Sequence, residues 1–181
     1  MAQSGDKPRW PEAVSELDKV ITEYQTTKRV DKTIAANAYF NKGLAQIATG
    51  QPLQAIEAFS SSLTLAKNVA PGDMEFVQSI LWLSPLQMGN AYSSLAQKDA
   101  AHWQSAAKAY NAVAQLFESA QYPIDGKIAA QAYDGLATAY EAMGDAARAR
   151  ANYDKLLEIA YIDTLAPELS DRARKRLKAL Q

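Results

Sequence analysis

A single histidine, His102, and the absence of cysteine limit the chemistry open to this 181-residue chain. Zinc and most transition metals are held by several imidazoles or thiolates, and acid–base relays commonly pair histidines, so neither arrangement can be assembled. His102 stands beside Trp103 before a predicted helix; a surface imidazole next to an anchored aromatic accounts for it. Carboxylates such as Asp125, Asp134 and Glu141 fall on predicted helix faces, where solvation explains a charge. The sequence carries no nucleophile elbow, phosphate loop, zinc-protease helix or calcium loop. The expectation is therefore a protein without catalytic residues, cofactor or metal.

Composition agrees with a packed helical chain. Apolar residues make up 48% and charged residues 22%, a balance that supports a core and excludes a chain too polar to collapse. Alanine, the best intrinsic helix former, supplies about a fifth of the residues. Nineteen basic residues face twenty acidic ones, for a net charge of −1, so no global field recruits nucleic acid or anionic lipid. No run approaches a membrane span, and the opening Met-Ala-Gln-Ser-Gly-Asp-Lys-Pro lacks the apolar core of a signal peptide. A soluble, cytoplasmic protein is expected, or a periplasmic one if a leader or anchor has been removed.

Glycine and proline collect where helical periodicity stops: Gly50 to Pro52, Pro71 to Asp73, Pro123 to Gly126, Gly144-Asp145 and Pro167. Between them apolar residues recur at three and four, as in Ile128, Ala132, Leu136 and Tyr140. This spacing predicts helices over 11–25, 31–49, 52–68, 73–96, 102–120, 125–143, 145–161 and 167–180. Pro11, Pro52 and Pro167 suit first turns, and Asp31, Asp73, Asp125 and Asp145 suit N-terminal caps. Pro85 lies inside the fourth segment, so either Ser84 caps a fresh start or the helix kinks there.

Laid on one another, the hairpins repeat. Gly43, Ala55 and Phe59 have the same spacing as Ala137, Ala149 and Tyr153, with Gly50 and Gly144 at the intervening turns. Tyr39 and Tyr133 stand four before the small residue, Tyr140 three after it, and Tyr92 three after Gly89. Small residues let two helices of a hairpin approach, and aromatics fill the gap to the next. Gly43, Gly89, Ala55, Ala106 and Ala149 are the expected close approaches, and Tyr39, Phe59, Tyr92, Tyr110, Tyr133, Tyr140 and Tyr153 are expected in the core.

Over residues 31–161 this pattern resembles the tetratricopeptide repeat. It departs from it where Pro85 replaces the first aromatic, where Lys42 stands for the usual leucine, and around Gln97 to Ala101, where the middle repeat is longer. The resemblance implies an all-α, antiparallel helical-hairpin solenoid of about three repeats, 31–68, 73–120 and 125–161. A capping helix would stand at each end, 11–25 and 167–180, in a single domain over 11–181 preceded by a flexible 1–10. The last helix sets Leu169, Ala173, Leu177 and Leu180 on one face and Arg172, Arg174, Lys175, Arg176 and Lys178 around the rest. Cations near a helix C-terminus complement its dipole, which favours a cap over a nucleic-acid site.

The resemblance also implies a concave groove lined by the first helix of each repeat. Projected onto this chain, it picks out Asn37, Phe40, Asn41 and Leu44, then Leu86, Asn90 and Ser93, then Gln131, Asp134, Thr138 and Glu141. Phe40 and Leu44 occupy the places where adaptors of chaperone tails carry lysine and asparagine, so that carboxylate clamp is not assembled. The expected function is a non-catalytic scaffold or adaptor that binds a protein or peptide in this groove. The alternative is a structural subunit of an oligomeric assembly, such as one in a bacterial envelope, with its groove self-filled. Exposed Trp10, Trp82 or Trp103, or an apolar patch at Ile80-Leu-Trp-Leu, would favour the alternative.

Overall fold

The computed structural model describes residues 9–27, 29–120 and 122–180. Residues 1–8 of the expected flexible N-terminus lie outside the described residues. The chain folds as α1 (Trp10–Thr27), α2 (Lys32–Ala48), α3 (Pro52–Ala66), α4 (Ile80–Ala96), α5 (His102–Glu118), α6 (Gly126–Ala142), α7 (Ala146–Leu157), the single turn α8 (Ile162–Leu165) and α9 (Pro167–Ala179). There is no strand among the described residues. From α1 to α7 each helix packs against the next, α2 touches α4, α4 touches α6, and α9 closes the stack against α7 and α6. This is an all-α hairpin solenoid.

Three of the expected caps form. Asp31 accepts the Thr33 N–H at 2.6 Å, Asp125 that of Lys127 at 2.6 Å and Asp145 that of Arg148 at 3.0 Å, satisfying donors that a helix start leaves open. The hairpin turns use glycine for the expected reason: Gly50 and Gly144 have φ of 75° and 78°, a region closed to most side chains.

The close approaches also form. A methyl group placed on Gly43 would lie 2.6 Å from the Phe59 ring, and one on Gly89 2.5 Å from the Tyr110 ring. Only glycine allows these helices so near their aromatic partners. Ala55, Ala106 and Ala149 are fully buried, as are Phe59 and Tyr153 within about a hundredth of their surface. Tyr39, Tyr92 and Tyr140 are half-buried.

Two segments differ from expectation. The predicted helix over 73–96 is broken: Pro71–Phe76 is a 3-10 turn, and α4 begins only at Ile80. Helices α2, α4 and α5 are each 17 residues long, and a continuous 73–96 helix would overshoot both neighbours; packing overrides the local period. At Pro85 the helix neither restarts nor takes a cap from Ser84. It runs through the proline with Ser84 fully buried. Ile80, Leu81 and Trp82 are buried and Leu83 partly so, and Trp82 leans on Tyr122 with ring centroids 6.0 Å apart, so the run presents no apolar patch; Trp103 is buried too, whereas Trp10 is 38% exposed. The predicted helix over 145–161 ends at Leu157, after which Tyr161, at φ 60°, turns the chain into α8.

Candidate protein-interaction face

Helices α2, α4 and α6 lie side by side and offer one shared face. On α2, Asn41 is exposed and makes no side-chain hydrogen bond among the described residues. Asn37 is half-buried; its amide nitrogen donates to the Thr33 carbonyl at 2.9 Å and reaches the Phe76 carbonyl at 3.5 Å. Phe40 is turned towards the core, its ring 5.5 Å from that of Phe59, and Leu44 is half-buried. Leu86 corrects the projection onto α4: it is 3% exposed and packs inside the core. On either side of it, Leu83 and Gln87 are half-buried.

Asn90 is exposed but oriented. The Tyr110 hydroxyl donates to its Oδ1 at 2.8 Å, and its Nδ2 donates to Gln87 Oε1 at 3.3 Å. A phenol has one hydrogen, so at the 3.2 Å contact between Tyr110 and Ser93 the serine hydroxyl is the donor. Burial raises the Tyr110 pKa, which keeps the phenol a neutral donor. Tyr110 is itself wedged between two glycines, Gly89 on α4 and Gly135 on α6, where an added methyl would meet its ring at 2.5 Å.

The α6 portion of the face is divided. Gln131 and Thr138 are exposed. Asp134, 8% exposed, pairs with Arg172 of α9 at 2.7 Å, and Glu141 makes a two-pronged ion pair with Arg176, with Nε to Oε1 at 3.0 Å. These two carboxylates are therefore engaged by the terminal helix and are not free for a ligand. Burial pushes the Asp134 pKa up and the Arg172 guanidinium pulls it back; its Oδ1 has no hydrogen-bond partner among the described residues. Arg174 pairs with Asp163 at 2.8 Å. Three of the five cations of α9 are thus spent inside the molecule, leaving Lys175 and Lys178 without ion-pair partners among the described residues.

Local periodicity carried no sign of the α9 contacts, since Asp134 and Arg172 are far apart in sequence. Nor did it mark the exposure of Phe76 (63%) at the end of the 3-10 turn and of Ile34 on α2. His102 is half-exposed, its ring stacked 6.1 Å from Tyr92 and its Nε2 4.0 Å from Asp99. Trp103 is buried. Among the described residues no three His, Asp or Glu side chains come together as a metal site, and no helix is long and apolar enough to cross a membrane.

A family model for the tetratricopeptide repeat matches residues 36–69 and 130–162, which are the hairpins α2–α3 and α6–α7. With that match and the hairpin stack together, these two hairpins are tetratricopeptide repeats within an all-α stack. No curated protein matches it. Solenoids of this kind present extended concave surfaces that serve protein–protein interaction.

Proposed function

We propose that the protein is a non-catalytic scaffold that binds a peptide or protein segment along the inner face of α2, α4 and α6. The observation that supports this reading is the row of accessible side-chain amides, Asn41, Asn90 and Gln131, one on each of the three helices. Amides can bond both donors and acceptors of an extended backbone. Asn37, Leu44, Ser93 and Thr138 border the row, whereas Phe40 and Leu86 support it from the core. No cofactor, nucleic acid or membrane enters the proposal, and the cytoplasm is the proposed compartment, with the periplasm as its alternative.

Affinity capture from the source cell's lysate tests it, with the wild type beside a variant carrying Asn41, Asn90 and Gln131 all changed to Ala. Loss of a captured protein in a variant with an unchanged far-UV spectrum supports the reading; equal capture by both defeats it.

A second reading, a subunit whose groove is filled from within, is favoured by the seating of α9 on Asp134 and Glu141. Sedimentation velocity separates the two: self-association at micromolar concentration supports the subunit.

A further inference from the structure

Beside Asn90 the inner face dips into a cleft of about 240 Å³ between the α2–α3 turn and the C-terminal half of α4. Its apolar walls are Ile47, Pro52, Ala91 and Leu95, and its polar rim is Asn90, Ser94 and Lys98. Pockets that enclose a drug-sized molecule run from about 300 Å³ upwards, so this one is of a size for a single side chain. Ile47 keeps 37% of its surface exposed here, an aliphatic wall facing solvent rather than a neighbour.

The rim carries one cation, Lys98, and the donors of Asn90 and Ser94, of which the Ser94 hydroxyl can also accept. The acceptor oxygen of Asn90 is taken by Tyr110, and one amide hydrogen remains after its bond to Gln87. The Ser94 hydroxyl and the Lys98 ammonium have no partner among the described residues. No carboxylate lines the cleft. The neighbouring Asp99 accepts the Ala101 N–H at 3.0 Å as the chain enters α5, and lies beside His102. The charge that complements this cleft is therefore negative, carried next to an apolar anchor.

We propose that this cleft is the specificity pocket for an extended segment carrying an aliphatic side chain and, two residues away, an Asp or Glu. In an extended chain, alternate side chains share one face, spaced about 6 to 7 Å apart. Leu95 lies in the last turn of α4 and Lys98 in the turn that follows it, and both line the cleft. The aliphatic group enters the cleft, the carboxylate meets Lys98, and Asn90 and Ser94 donate to the intervening carbonyl. This rests on the groove reading above and adds the chemistry of its ligand.

The test is a ¹⁵N–¹H NMR titration of the full chain at low salt with the peptide Ac-Gly-Leu-Ser-Glu-Gly-NH2. The expected result is saturable shifts confined to the amides of Ile47, Gly50, Ala91, Ser94, Leu95 and Lys98. Replacing the peptide's Glu by Gln weakens binding roughly threefold, and replacing its Leu by Ala roughly tenfold. Lys98→Gln, whose own spectrum reports its fold, binds the Glu and Gln peptides equally. Absence of a saturable shift overturns the proposal, as does a Lys98→Gln protein that still discriminates. Shifts centred on Asn41 or Gln131 and absent from the cleft overturn it while leaving the groove reading intact.

Discussion

The Tyr110 hydroxyl sits 2.8 Å from Asn90 Oδ1, so a side chain buried between two hairpins sets the orientation of an amide on the accessible face. That position depends on Gly89 and Gly135, which leave room for the ring and nothing more. Gly89→Ala gains up to about 1 kcal/mol of helix propensity. It forces a methyl into the ring, at a cost of about 1–3 kcal/mol. The net expectation is a lower urea midpoint, with the penalty largely removed in a Tyr110→Ala background. A Gly89→Ala protein more stable than wild type would contradict the wedge.

Two buried serines are expected to respond in opposite ways to alanine. Ser62 donates to the Ala36 carbonyl at 2.7 Å across the α2–α3 interface, and Ser62→Ala costs about 1 kcal/mol. Ser84 Oγ has no partner among the described residues. Ser84→Ala removes a desolvated hydroxyl and leaves stability equal or higher by up to about 1 kcal/mol. Denaturant unfolding of both, side by side, decides the matter.

Asp134 predicts a pH signature. Its carboxyl is raised above the ordinary value by burial, so the folded state holds the proton more tightly than the unfolded state. Its contribution to stability is present below the unfolded pKa and is lost as pH rises through the folded one. Arg172 opposes the rise. Arg172→Ala is therefore expected to lose little near pH 4 and about 1–3 kcal/mol near pH 7, while Asp134→Asn loses less at pH 7 because no charge stays buried. A deficit of Arg172→Ala that is constant across this range would show the pair to be unimportant.

Glu118 has the opposite sign. It accepts from Lys155 at 2.6 Å and from Tyr133 at 2.9 Å, and these bonds, Lys155 first, lower its pKa. Its contribution is present above the ordinary carboxylate value and fades as pH falls through the folded one. Tyr133→Phe should move the Glu118 carboxyl back up towards that value, as followed by carbon-detected NMR titration, and Lys155→Gln should move it further.

Much of the fold follows from short-range spacing. The spacing marks Gly43 and Gly89 as close approaches and Phe59 and Tyr110 as core, all within one hairpin; that each ring lies on its own hairpin's glycine, and not only in the gap to the next, comes from the structure. The caps at Asp31, Asp125 and Asp145 need only their own first turn. What the spacing could not convey depends on distant parts of the chain. Whether Leu86 faces outward depends on how α4 enters after the 3-10 turn, and Asp134 is matched to an arginine on a helix that periodicity reads only as a cap. Tyr110 was legible as core, but its second glycine, Gly135, belongs to the next hairpin. The orientation of Asn90 follows from that tertiary contact.

That double contact bears on how the molecule comes apart. A stack held by neighbour-to-neighbour contacts behaves as a row of coupled units, in which an end unit has one neighbour to lose and a middle unit two. A ring clasped by α4 on one side and α6 on the other ties the middle unit to the one after it. Melting therefore begins at the rims and travels inward, and the amides of α4 to α6 are the last to exchange their hydrogens with solvent.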